Sequence, residues 1–221
     1  MTSGTIVTGA DLSMDDRHVY RLPDGAVIPS VTQILRAVGV STDFDALRAM
    51  SDRMAIAIEE ARALGTVVHM DCHAADDDAI AWETVDPRSL PYVEAWMVFR
   101  ENTRLVPVSR ERRLYHPGLR ACGTLDAILC LPENPARRIL ADIKTGDPES
   151  AGARYQTAGY QLLWEAEHPD EPIAERWSVE LTPEHGIPYR ITRYDDWTDA
   201  ASFRAFVTTY YAQAERRKGS R

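Results

Sequence analysis

Two acids and a lysine stand close together in the stretch Gly123 to Thr145, GTLDAILCLPENPARRILADIKT. The stretch reads as a β-hairpin, two alternating segments around the turn Pro132-Glu133-Asn134-Pro135. On the second strand Asp142 and Lys144 are two residues apart, so they leave one face while Ile143 leaves the other. On the first strand Asp126 shares a face with Thr124 and Ile128. A turn centred on Asn134 sets Asp126 opposite Asp142, with Cβ atoms roughly 4.5–5.5 Å apart. Carboxylates that close repel unless positive charge lies between them. A divalent metal is the economical answer, and Lys144 adds a cation beside it. The plainer alternative is a cross-strand ion pair between Asp126 and Lys144.

These residues need a frame to hold them. A hairpin is expected from His18 to Ile28 with Pro23-Asp24-Gly25 as its turn, after a polar, loosely held start. Ser30 and Gln33 form a capping box for a helix from Val31 to about Val38. Leu47, Met50, Met54 and Ile58 follow helical spacing over Phe44 to Leu64. Gly65 is expected to end or bend that helix, with Thr66 capping a second piece from Val67 that carries His69 in its first turn. Asp76 to Asp78 reads as a solvated loop. A helix from Pro87 to Asn102 turns Leu90, Val93, Trp96, Met97 and Phe99 inward, and a strand from Leu105 to Tyr115 carries Glu111. Beyond the hairpin come a helix from Ser150 to His168, strands at Ala174–Leu181 and Tyr189–Tyr194, and a helix from Asp199 to Arg217. The reading is α/β: one domain over 1–221, divided into an N-terminal extension and hairpin (1–27), a helical part (28–104), a catalytic sheet and helix (105–195) and a C-terminal helix (196–221).

The 221 residues suffice for one sizeable core. No apolar run approaches the ~20 residues of a membrane span, and the first residues lack a secretory signal pattern. Three cysteines, Cys72, Cys122 and Cys130, fit packed thiols in a reducing, cytoplasmic setting. A formal charge of −9 argues against non-specific coating of nucleic acid. It leaves room for a local basic site, and Arg110, Arg112 and Arg113 cluster just ahead of the hairpin. No phosphate-binding Gly-x4-Gly-Lys loop is present, so no nucleotide cofactor is expected. His73 follows His69 at i+4. The His-x3-His spacing also suits zinc, but no further cluster completes four ligands.

Taken together, Gly65-Thr66-Val67-Val68-His69, Glu111, Gly123-Thr124-Leu125-Asp126, Asp142-Ile143-Lys144-Thr145 and Gln156-x3-Tyr160 resemble the PD-(D/E)XK nuclease superfamily in order and spacing. The chain is most similar to its RecB-type branch, which includes phage recombination exonucleases, Cas4-like nucleases and the mitochondrial genome maintenance exonuclease. The opening Pro29-Ser30-Val31-Thr32-Gln33-Ile34-Leu35 is also similar to the start of several such exonucleases. The resemblance covers roughly residues 28 to 195. It implies a restriction-endonuclease-like core, a mixed central sheet flanked by helices, and a metal-dependent DNA exonuclease of replication, repair or recombination, with phage ancestry. It implies Mg²⁺ or Mn²⁺ on Asp126 and Asp142, with His69 and the Ile143 carbonyl as further ligands; the imidazole favours Mn²⁺. Lys144 would orient or deprotonate the attacking water or offset charge on the phosphate, and Glu111 would bind metal or brace the lysine. Gln156 and Tyr160 would flank the site, and Arg154 and Tyr155 would add a phosphate contact and a stacking surface. The Cas4-like iron–sulfur cluster is not expected, because the cysteines do not form its pattern. The implied partners are DNA ends, a recombination or replication protein, and further copies of the chain. A non-catalytic DNA-binding scaffold on the same fold and an RNA or defence nuclease are the competing functions.

Overall fold

In the computed structural model, residues 7–15, 18–41, 49–146, 152–183 and 186–219 are described. A small antiparallel sheet comes first, with β1 at Ser13–Met14, β2 at Tyr20–Arg21 and β3 at Val27–Ile28. Next are the helices α1 (Val31–Ala37), α2 (Asp52–Asp76) and α3 (Leu90–Thr103). The strands β4 (Val106–His116), β5 (Ala121–Leu131) and β6 (Asn134–Lys144) form a meander, and α4 (Ala153–Glu167) crosses over to β7 (Ile173–Leu181). β8 (Tyr189–Tyr194) and α5 (Thr198–Gly219) close the chain.

The five long strands lie in the order β4-β5-β6-β7-β8, antiparallel except for the β6–β7 pair. That one parallel pair follows from the helical crossover, since parallel neighbours cannot be joined by a tight turn. Alternating residues of the sheet feed a core on each face. Ala127, Leu129, Ile139, Ala141 and Ile143 pack toward Val68 of α2 and Trp96 and Phe99 of α3. Ile128 and Leu140 pack toward Val31, Ile34, Leu163 and Phe203 of α1, α4 and α5. The mixed α/β architecture expected from the sequence is thus present.

Several local expectations need correction. The polar start is held in place over residues 7–15: Leu12 is buried with Tyr20, Ile28, Tyr115 and Cys122, and Gly9 donates to Glu167 at 2.6 Å. Gly65 does not interrupt a helix. α2 runs unbroken from Asp52, with Thr66 donating to the Arg62 carbonyl instead of capping, so His69 is mid-helix. A Cβ on Gly65 would lie 3.4 Å from the Thr145 hydroxyl, an ordinary contact distance, so α2 passes beside the end of β6 at this residue. Of that expected helix, 44–48 lie outside the described residues, and 49–51 precede α2, with Ser51 as its N-cap. Asp76 is the last residue of α2 and takes the Trp96 indole N–H at 3.1 Å and the Arg100 guanidinium. Met97 faces outward. The central turn is only Pro132-Glu133, since Leu131 already pairs with Asn134.

Candidate active site

The expected juxtaposition of Asp126 and Asp142 is present, although it arises from a register shift between Leu129 and Leu131 and not from a turn centred on Asn134. Ala127 pairs with Ala141 and Ile128 with Leu140, a count that puts Asp126 opposite Asp142. The ladder ends at Ala127–Ala141. One step further, the Asp126 carboxylate accepts the Ile143 N–H at 2.7 Å, in place of a main-chain partner. Its other oxygen is 3.6 Å from Nδ1 of His69. Asp126 is therefore a wedge at the fork of β5 and β6, tied to both strands and facing α2.

Glu111 reaches the same place from β4. Arg110 pairs with Ala127 and Arg112 with Leu125, so Glu111 lies across from Asp126. Its φ is +43°, a left-handed conformation inside a strand. Such a conformation at a non-glycine residue costs on the order of 1–3 kcal/mol. The Glu111 carboxylate lies 3.6 Å from Nδ1 of His69 and 3.2 Å from Nε2 of His73. His69 turns its other nitrogen to the Ile143 carbonyl at 3.2 Å. With Nε2 donating to that carbonyl, Nδ1 is the nitrogen turned to the two acids: an N–H toward them while the ring is protonated, and a lone pair for an ion bound between them. Ligand atoms of His69, Glu111 and Asp126 all lie within 4.8 Å of one another, close enough to share one ion.

Asp142 and Lys144 form a second group beside this one. Lys144 Nζ is 2.8 Å from one Asp142 oxygen and donates to the Gln156 side-chain carbonyl at 3.1 Å. Gln156 donates from its amide nitrogen to the other Asp142 oxygen at 2.9 Å, closing a three-residue ring. Both Asp142 oxygens are thus engaged by Lys144 and Gln156, and the Ile143 carbonyl is engaged by His69. Tyr160, one turn after Gln156, is buried beneath Gly123.

Charge explains the titration of the cluster. Burial lowers His69, but the Asp126 and Glu111 carboxylates outweigh it and raise His69 to about 9. Burial raises Asp126 above the usual carboxylate range, with His69 opposing and Asp142 reinforcing that shift. Burial also pushes Glu111 up, yet contacts with His69 and His73 hold it at about 2. Lys144 would fall on burial, but Asp142 and Asp126 keep it above its ordinary value, as an ammonium. Without a metal, protons and ammonium groups offset the carboxylates.

The basic residues proposed for nucleic acid have varied settings. Arg112 is exposed. Arg110 pairs with Asp77, and Arg113 donates to the Leu12 carbonyl at 2.7 Å. Arg154 donates to Asp199 and Asp196, each at 2.7 Å, beside Arg176, which also binds Asp199. Tyr155 packs edge-on against Phe206. Arg154 and Tyr155 thus make contacts with α5 and the loop before it, while the Arg154 side chain keeps 37% exposure. The thiols of Cys72, Cys122 and Cys130 are all buried. His73 is the site neighbour that sequence reasoning left without a role. Its signal was the i+4 spacing from His69, which puts both rings on one helix face.

No described helix is long and apolar enough to cross a membrane. No family model and no curated protein matches the chain. Among solved structures, a candidate exonuclease from Eubacterium rectale aligns with a TM-score of 0.49 and 10% identity, over 72% of this chain and 68% of that one. The protein SSO0001 aligns with a TM-score of 0.34 and 16% identity, over 67% of this chain and 74% of that one. Likenesses this distant carry no argument about what the chain does.

Proposed function

We propose that the protein is a divalent-metal-dependent nuclease that hydrolyses phosphodiester bonds, acting on DNA from an end. The observation that carries the reading is the convergence of His69, Glu111 and Asp126 beside the Asp142–Lys144–Gln156 ring. One imidazole and two carboxylates suit a hard or borderline ion such as Mg²⁺ or Mn²⁺. His69, Glu111 and Asp126 would hold the ion, with Asp142 on its lysine side. Bound there, the ion would polarise the phosphoryl oxygen, lower the pKa of water and offset charge as the bond breaks.

The chain's own groups do the rest. Lys144 has three N–H donors; one goes to the Gln156 carbonyl, and the ammonium lies in ion-pair contact with Asp142. An N–H not given to Gln156 would meet a phosphate oxygen or the attacking water. Lys144 would orient the attacking water and, as an ammonium, offset charge on the phosphate. Gln156 fixes the lysine's direction by holding Asp142 and Lys144 together. DNA as substrate and attack from an end rest on the resemblance of the motif set to RecB-type exonucleases. So does a role in replication, repair or recombination.

The test is a panel of linear duplex, single strand, nicked circle, closed circle and RNA, each with Mg²⁺ or Mn²⁺. The protein should degrade linear DNA and spare closed circles, and Asp126→Asn should be inactive. Metal-independent binding without cleavage would instead establish a scaffold, and cleavage of RNA alone would correct the substrate.

A further inference from the structure

The sequence offers His73 only a His-x3-His pairing with His69 that no further cluster completes, and the site proposed above does not need it as a ligand. Its side chain is 12% exposed, and Nε2 lies 3.2 Å from Glu111 Oε1. An ionised carboxylate only accepts, so Nε2 must carry the proton in this contact. Nδ1 is buried with no hydrogen-bond partner among the described residues. Burying an unsatisfied ring nitrogen is unfavourable, so packing alone is a poor reason for a histidine here. The partner it holds is itself unusual. Glu111 keeps a left-handed backbone conformation in the middle of β4, and its carboxylate faces α2 and not along the sheet.

We infer that His73 is a positioning residue that locks the Glu111 carboxylate toward His69 and Asp126 and so sets the affinity of the site for a divalent cation. The inference rests on the metal-site reading above. Two oxygens and a nitrogen on three different elements must meet around one ion. His69 is fixed by the Ile143 carbonyl and Asp126 by the Ile143 N–H. Among the described residues, Glu111 is the member without a main-chain anchor of that kind. His73, on the same face of α2 as His69, supplies the anchor one helical turn away. The histidine–carboxylate pair would then move with the helix that carries the imidazole ligand, keeping the ligand set in register.

The experiment is calorimetric titration of Mn²⁺ into the full chain, without nucleic acid, for wild type, His73→Gln and His73→Asn. A glutamine amide nitrogen occupies nearly the place of Nε2, whereas the shorter asparagine reaches only the place of Nδ1. Loss of an outer partner to a metal ligand typically weakens binding by 10–100-fold. His73→Asn should therefore bind Mn²⁺ about 10–100-fold more weakly, and His73→Gln within about threefold of wild type. Metal-free melting of each variant separates folding from binding. Wild-type affinity in His73→Asn, or equal loss in both variants, would overturn the inference. Absence of cleavage alongside the expected affinities would remove the nuclease reading and still support the role of His73. A wild-type protein that takes up no Mn²⁺ would overturn both.

Discussion

Adding one methyl group at Gly123 should damage the site from beneath. A Cβ built there falls 2.8 Å from Cε1 of Tyr160, with Cδ1 at 3.6 Å and Cζ at 3.7 Å. Carbon atoms pack best at about 3.5–4.0 Å, so the ring must retreat by roughly 0.7 Å. It has little room, because Tyr160 is 6% exposed and belongs to the core with Val31, Leu125, Leu163 and Phe203. Overpacking of this kind costs about 1–3 kcal/mol. For a chain this size each kcal/mol shifts the melting midpoint by about 2–4 °C, so Gly123→Ala should melt about 2–12 °C lower. Tyr160 also sits one turn from Gln156, so the displaced ring should loosen the hold on Asp142 and Lys144, and cleavage should fall beyond what unfolding explains. The assay is a double-mutant cycle by calorimetric melting, with activity measured well below the midpoints. Tyr160→Leu removes the clash, so the pair should show a favourable coupling of about 0.5–3 kcal/mol. A neutral Gly123→Ala, or strictly additive effects, would refute the packing argument.

Two further predictions concern charge. Asp199 is buried and accepts from both Arg154 and Arg176. Asp199→Ala leaves Arg176 buried without its carboxylate and should cost about 3–5 kcal/mol, read as a fall in the denaturation midpoint. His69, raised from 6.5 to about 9, stabilises the metal-free fold. Its folded value lies above the unfolded one, so this contribution is complete below pH 6.5 and disappears as pH rises through about 9. It amounts to at most about 3 kcal/mol. Metal-free wild type should lose stability between pH 6.5 and 9.5, and His69→Gln should lose much less; parallel curves would contradict the electrostatic account.

Much of this frame was legible in the chain because it depends on local rules. Alternation around the expected turn Pro132-Glu133-Asn134-Pro135 marked the hairpin, and counting from Asn134 put Asp126 opposite Asp142, one step beyond the last pair of the ladder; the register shift between Leu129 and Leu131 that produces this register from the tighter turn was not legible. Ser30 and Gln33 form their capping box. Long-range competition was not legible. Gly65 carries a helix-breaking propensity, yet α2 continues through it and buries Val68 and Cys72 in the turns that follow. Asp76 looks like part of an acidic loop until Trp96 and Arg100 claim it. The grouping of Glu111 with His69 and His73 depends on a left-handed residue in a strand, which no propensity announces. Arg154 and Tyr155 are a further case. Their sequence spacing did not announce that Asp196, Asp199 and Phe206 are their contacts.

The most direct test of the central claim is digestion of end-labelled linear DNA with Mn²⁺ by wild type and by Lys144→Ala, with circular dichroism as the control for folding. The account predicts cleavage by wild type, abolished by EDTA, and a loss of at least about 100-fold in the folded variant, the scale expected when a preorganised charge at the reacting group is removed. Equal cleavage by the two proteins would contradict it, because the ring of Lys144, Asp142 and Gln156 would then have no part in the chemistry.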